Sequence, residues 1–449
     1  MDSASGESGI KAVTGRMSER YAWYVVFLLF LAYTFSFIDR QILTLMVDPI
    51  KRDLDLTDTQ FSLLHGMAFA LFYTFLGLPI GRLADRADRR KIIAAGVATW
   101  SLMTALCGFA RNYGQLFLAR MGVGVGEGAL SPAAFSMLSD IFPKERLGRA
   151  ISIYTIGIAV GSGMALLVGG YVIQLVQQSG PVVVPLLGTL QPWQQVFVIV
   201  GLPGIPVSIA ILLLREPQRR EIHKPTATLR EVFEFIAERK RLFFCFLLGL
   251  ALATAMSHGV HGWAPAYFMR VHGWSPAEVG LNYGLGVLVA GTLGLLTGSW
   301  LTEHMMRRGR TDAPLRTAAL GIGLCLPLGV AAPLSSSGEA ALILFTLFQF
   351  AYLMPWGVVG ASIQLVAPNE MRATLSALYL FSINIIGLGL GPTFVALLND
   401  RAYGVDGVGY SLATAAAVLA PAATLLLVAG FRSYRDAFER ARAWSDPNY

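Results

Sequence analysis

Charged side chains stand at three places where the surrounding sequence is apolar. Arg120 and Glu127 both lie in the stretch Arg120-Met121-Gly122-Val123-Gly124-Val125-Gly126-Glu127-Gly128. A spacing of seven residues is close to two helical turns, so both side chains leave one face of a helix. Charges inside an apolar helix are costly and turn toward a partner or a water-filled cavity. Asp39, in Phe37-Ile38-Asp39-Arg40, falls at about the depth of Arg120 if both segments cross a bilayer, and a pairing of the two is expected. The chemistry open to such a set is proton uptake and release at Glu127 or Asp39 as access to water changes. Arg120 would offer its guanidinium to an anionic headgroup. The blander alternative is an ion pair that only fixes helix register.

The second half of the chain offers no acid in mid-helix; Glu278, Glu303, Asp312, Glu339, Glu370, Asp400 and Asp406 all fall at or near ends. It supplies instead His258, His261, Asn282, Tyr283, Gln349, Tyr352, Trp356, Tyr379 and Asn384 among many Phe, Leu and Met. A wall with few polar anchors and much apolar surface suits an amphiphilic cargo. His258 and His261 have no acidic or cysteine partner at ligand spacing, so no metal site is expected. Cys107, Cys245 and Cys325 lie in apolar runs and read as packing residues. No serine, histidine and acid set or phosphate-cradling loop is visible, and the glycines around Arg120 follow no strand, which excludes a dinucleotide fingerprint. The sequence therefore reads as a protein that is not an enzyme, with no cofactor beyond a proton as the coupling ion.

The elements that must position these residues follow from composition. AVILMFWYC make up 55% of the 449 residues, DEKR only 14%, and the mean hydropathy is +0.57. A soluble domain carries about a quarter charged residues, and the apolar runs here reach the roughly twenty residues a helix needs to cross hydrocarbon. The pattern predicts an all-α membrane protein of twelve transmembrane helices near 22–46, 60–83, 91–110, 115–139, 147–177, 193–214, 241–269, 277–304, 314–333, 339–366, 371–398 and 409–432. Most of the 35 Lys and Arg sit in the connections on one side of these spans and in the tails, so the positive-inside rule places both termini in the cytoplasm. The net charge of +7 therefore reports topology and not nucleic-acid binding.

Residues 215–240 form the longest and most charged connection and divide an N-terminal bundle, 22–214, from a C-terminal bundle, 241–432; the tails are 1–21 and 433–449. Within the linker, Thr228-Leu229-Arg230-Glu231 is a capping box ahead of Val232, Phe233, Phe235 and Ile236, which predicts a short amphipathic helix along the membrane surface. Pro143, Glu145 and Tyr154 recur as Pro368, Glu370 and Tyr379 at a constant offset of 225 positions, and Gly66 and Gly81 echo in Gly284 and Gly298. Two such echoes argue for a pseudo-symmetric duplication of six helices.

Between the second and third helices stands Gly81-Arg82-Leu83-Ala84-Asp85-Arg86-Ala87-Asp88-Arg89-Arg90-Lys91. This resembles the loop signature of the major facilitator superfamily, and the resemblance implies that Gly81, Asp85, Arg86 and Arg90 latch a cytoplasmic gate. Gly157-x-x-x-Gly161 and Gly169-Gly170 are similar to the glycine-rich fifth helix of the superfamily's proton antiporters, although Ser162 replaces the Pro of that pattern. Phe37-Ile38-Asp39-Arg40, the Arg120 to Pro132 string and Arg372-Ala373-Thr374-Leu375-Ser376-Ala377-Leu378 together resemble the Spinster family, whose animal members export sphingosine-1-phosphate and lysophospholipids. The short tails resemble a bacterial member. The resemblance implies a monomeric, proton-coupled, alternating-access transporter of a lipid-like anionic amphiphile in the inner membrane. A drug or organic-anion carrier of the same fold and a passive lipid scramblase remain the alternatives.

Overall fold

The computed structural model describes residues 18–443 apart from 85, 186–187, 220–227 and 369. Among the described residues ten helices are long and apolar enough to cross a membrane: 19–45, 58–84, 146–179, 192–212, 240–272, 276–307, 313–331, 338–365, 374–403 and 405–441. Two more helical segments, Arg89–Cys107 and Tyr113–Ile141, lie where the third and fourth spans are expected. The first of these opens with three consecutive bases, and the second is interrupted after Glu127. We number the segments α1 (Glu19–Gln41), α2 (58–84), α3 (Arg89–Cys107), α4 (Tyr113–Glu127, continued by Leu130–Ile141), α5 (Lys144–Ser179), α6 (192–212), α7 (Lys240–His272), α8 (Pro276–Arg307), α9 (Ala313–Ala331), α10 (338–365), α11 (372–403) and α12 (Val408–Ala443).

Several spans are not the single rods that hydropathy predicts. α1 ends at Gln41 and tightens into a 3-10 turn over Ile42–Leu45, and α10 breaks at Met354-Pro355, where proline cannot continue the backbone ladder. α2 carries one widened turn at Leu63–Met67, and α11 carries two, at Ile383–Leu390 and Asn399–Tyr403. Such bulges turn side chains out of the regular helical register. α12 runs to Ala443, so most of the expected C-terminal tail is helix, held by Tyr434, which is buried and donates to the Ser362 carbonyl at 2.9 Å. The all-α expectation also misses a two-stranded antiparallel hairpin, Val182–Val184 with Gly188–Leu190, in the connection between α5 and α6. The linker helix Leu229–Glu238 is present, with Thr228 and Glu231 forming the reciprocal cap and Val232 and Phe235 buried beneath it. The remainder of the linker, 220–227, and the tails before 18 and after 443 lie outside the described residues.

The two halves pack through small residues that let backbones approach. A β-carbon on Gly280 of α8 would lie 2.2 Å from the Leu166 carbonyl of α5, and one on Gly170 of α5 would lie 2.4 Å from the Pro276 carbonyl of α8. Only hydrogen fits at that separation, and in lipid this close packing replaces the hydrophobic drive that water would give. Inside the first half Gly126 of α4 plays the same part against Trp100 of α3.

Candidate functional site

Successive residues on a helix point about 100° apart, so Asp39 and Arg40 of α1 face different neighbours. Asp39 is buried and its Oδ2 accepts from Thr104 Oγ1 of α3 at 3.2 Å. Arg40 reaches Glu127 at the end of the first section of α4: its Nε donates to Oε2 at 2.7 Å, its Nη2 contacts the same oxygen, and Ser36 Oγ donates there too at 2.6 Å. The Arg40 guanidinium also lies over three rings, Phe69 at 4.3 Å, Phe37 at 4.6 Å and Tyr73 at 5.1 Å, which adds cation–π attraction.

The expected ion pair between Asp39 and Arg120 is therefore not formed. Arg120 is fully buried and gives only a long contact, Nη1 to the Asp39 main-chain oxygen at 3.5 Å. Among the described residues its Nε and Nη2, with Asp39 Oδ1 and Glu127 Oε1, have no hydrogen-bond partner. Arg40, which sequence reasoning left aside, is the residue that meets Glu127; the cost of an Arg in an apolar helix applied to it as fully as to Arg120 and was the signal that could have found it.

Arg40 also lines a small opening between the halves, together with Phe37, Gln41, His65, His258 and His261. Arg120 is not part of that lining. His65 was not anticipated; the widened turn at Leu63–Met67 carries it, and its Nδ1 has no partner. His261 is ringed by Tyr283 at 6.2 Å, Tyr352 at 6.4 Å and Phe348 at 6.5 Å, and Trp356 stacks at an angle on Tyr352 at 5.6 Å. Gln349 is buried beside this cluster. Tyr379 is buried near Phe246, Asn384 is half-buried in the widened turn of α11, and Asn282 is exposed and lines no part of the opening. Among the described residues no group of His, Cys, Asp and Glu could hold a metal.

At one end of the bundle, the end that the placement of Lys and Arg reads as external, the halves are tied together by charge. Arg270 at the end of α7 donates to both oxygens of Asp58, at 3.1 and 3.2 Å, and to Asp48 at 2.6 and 3.0 Å. Asp58, fully buried at the start of α2, also takes Lys51 and an Asn399 amide at 3.0 Å. Asp400 of α11 accepts from the main-chain N–H groups of Asp58 and Thr59 at 3.2 and 2.8 Å, so an anion of one half caps a helix of the other. Further in, Phe75 of α2 and Phe381 of α11 meet edge to face at 5.5 Å.

At the opposite end, ion pairs among the described residues are found inside each half. Arg89 is fully buried and donates to Glu216 at 2.7 Å, to Ser136 and to the Pro217 carbonyl, and it pairs with Asp140. Arg90 holds Asp88 at 3.0 Å, and despite the opposing effect of partial burial this bond keeps the Asp88 carboxyl below its ordinary range. Asp312 pairs with Arg316 at 2.7 Å and with Arg435. Of the loop residues singled out from sequence, Gly81 approaches Pro132 of α4, Arg86 is exposed, and Asp85 lies outside the described residues. Arg89, which stands in the same string but outside those four, is the buried hub.

A family model for the Major Facilitator Superfamily matches residues 29–392. The chain is 30% identical over 438 residues to an MFS-type efflux pump of Mycolicibacterium smegmatis, covering 95% of this chain and 97% of that one. It is 25% identical over 404 residues to protein spinster of Drosophila melanogaster, covering 86% of this chain and 64% of the fly protein. Among solved structures, a bacterial homolog to the human lysosomal transporter Spinster, in an inward-facing and occupied conformation, superposes with a TM-score of 0.75 at 29% identity, over 94% of this chain and 97% of that one.

Proposed function

Because the chain belongs to the major facilitator superfamily, and is a multi-pass membrane transporter of Spinster type, we propose that it couples proton movement to the alternating-access transport of an anionic amphiphile. The observation that carries this reading is the Arg40–Glu127 pair at the edge of the opening between the halves, with the halves joined at one end by the Asp58–Arg270 pair. A carboxylate already paired with a guanidinium can exchange that partner for a proton when an anionic headgroup takes the guanidinium, so binding and protonation become linked. Asp39, with one oxygen unpartnered, is the second candidate proton carrier. Arg40 and not Arg120 is the headgroup cation in this scheme, because it alone of the two lines the opening.

Twelve membrane crossings, cytoplasmic termini, a plasma-membrane location and a monomeric state complete the proposal; the asymmetric placement of Lys and Arg supports the topology. The named efflux activity of the Mycolicibacterium relative favours a drug or organic anion as the second choice of cargo. The ion-paired outer end argues against a permanently open lipid scramblase.

The test is uptake of a fluorescent lysolipid into proteoliposomes with and without an imposed pH gradient. The reading requires gradient-driven accumulation by the wild type and transport by Glu127→Gln that no longer responds to the gradient. Full gradient dependence in Glu127→Gln removes Glu127 from the coupling role.

A further inference from the structure

The two ends of the bundle are held differently. At the latch end Asp58, Arg270 and Asp400 join one half to the other. At the opposite end Arg89 holds Asp140 and Glu216, and Asp312 holds Arg316 and Arg435, so these charges are already engaged inside each half. Closing that end with the same charges would mean breaking buried pairs, which is costly.

Two phenyl rings stand uncovered there. Phe135, in the second section of α4, is 41% exposed, and Phe244, in the second turn of α7, is 59% exposed. Phe135 lies six residues short of Ile141 and Phe244 four residues beyond Lys240. At a rise of 1.5 Å per residue the two sit about 9 and about 6 Å from their helix ends, at nearly one depth.

Both are aimed at the space between the halves. α7 is a continuous helix from Lys240 to His272, and Phe244 precedes Gly262 by 18 residues, which is five full turns. Phe244 therefore leaves the face on which Gly262 lines the opening. In the other half a ladder of rings leads from the opening to Phe135. Phe37 lines the opening and meets Tyr33 at 5.3 Å, Tyr33 stacks on Tyr154 at 4.5 Å, and Tyr154 takes the edge of Phe135 at 5.4 Å. Tyr154 is fully buried and shares a 3.0 Å hydrogen bond with Ser131, which fixes the ladder. The second half repeats the arrangement: Tyr379, 225 positions after Tyr154, packs at 6.2 Å on Phe246 of α7. Each mouth helix thus has an aromatic support behind it, and each presents one ring without a cover.

We propose that Phe135 and Phe244 are the gate at the end opposite the latch, meeting ring on ring when the latch parts. A phenyl ring left in a water-filled mouth gains by burial against another ring, with an offset or edge-to-face geometry adding to the gain. One end of the transporter is then closed by ion pairs and the other by apolar rings. The proposal rests on the halves alternating, and not on the nature of the cargo or the coupling ion.

Two cargo-free measurements test it on the full chain in nanodiscs. In the first, Phe135→Cys and Phe244→Cys are combined, with Cys245 changed to Ser because it is the chain neighbour; Cys107 and Cys325 are buried. Oxidation by copper phenanthroline in air should link the pair, identified by mass spectrometry of the joined peptides. Phe135→Cys with Leu320→Cys, an exposed position on α9, should stay unlinked. No link in the first pair, or equal linking of both pairs, overturns the proposal. The second measurement keeps both rings: spin labels at Ser139→Cys and Lys240→Cys, exposed positions one turn from Phe135 and Phe244, should give a shorter and a longer distance population. Phe244→Asp should remove the shorter one, because a carboxylate resists burial against a ring. A distribution that Phe244→Asp leaves unchanged also overturns the gate. Gradient-driven lysolipid uptake by a protein that shows neither signature refutes the gate alone, whereas absence of uptake and of both signatures removes alternating access with it.

Discussion

Replacing Asp58 by Asn removes the charge at the centre of the outer latch while keeping the side chain's size. Asp58 takes two guanidinium hydrogen bonds, at 3.1 and 3.2 Å, and one amide bond at 3.0 Å from the opposite half. Charge-assisted bonds contribute about 1.5–3 kcal/mol each, but not all of that bears on the gate. Lys51 lies on the same half as Asp58 and stays with it when the halves part. Arg270 keeps Asp48, whose carboxylate is 44% exposed and is therefore screened by water. About one bond's worth, roughly 2 kcal/mol, is left as the difference between closed and open outer ends, which is about a 30-fold shift in their ratio. A minor outward-open population of about 1% would rise to about a quarter. Spin labels at the exposed positions Arg52 and Val405 read the gap directly, since the three native cysteines are buried and escape labelling. Asp58→Asn should add a longer-distance population absent from the wild type, and Arg270→Gln, which also releases Asp48, should enlarge it. A monodisperse Asp58→Asn protein with the wild-type distance distribution would refute the latch.

Arg40→Met should abolish transport of an anionic cargo while a thermal-shift assay still shows folded protein, because the lost guanidinium faces the opening; unchanged flux would return the headgroup role to Arg120. Gly280→Ala places a β-carbon 2.2 Å from the Leu166 carbonyl and should cost about 1–3 kcal/mol, seen as a lowered melting temperature, whereas Gly148→Ala, with open space around it, should melt as the wild type does. Arg89→Leu strips the buried cation from between Asp140 and Glu216 and should destabilise the first half by about 3 kcal/mol; limited proteolysis near the start of the linker should accelerate. Trp263→Phe removes the indole bond to the Pro392 carbonyl at 3.0 Å and leaves that acceptor buried, a loss of about 1–3 kcal/mol in the second half measurable by chemical denaturation.

Local and one-dimensional properties were legible in the sequence. The spans could be read because a helix in lipid satisfies its own backbone bonds, so an apolar run of the right length has few other structures open to it. The Thr228–Glu231 cap could be read because its partners lie three residues apart. Asp39, Arg120 and Glu127 could be singled out because their cost in an apolar setting is independent of what they touch. What each touches depends on how far one helix is rotated and tilted against the next, and that is set by packing across the whole bundle. Rotation handed Glu127 to Arg40, turned Asp39 toward Thr104, and left Arg120 behind them. The widened turn that brings His65 to the opening and the break after Glu127 carry no periodic signature either. The outer latch is the plainest case: Asp58 reads as an ordinary acid in a helix's first turn and Arg270 as a loop charge. They lie 212 positions apart in the chain, and only the docking of the two halves makes them a pair.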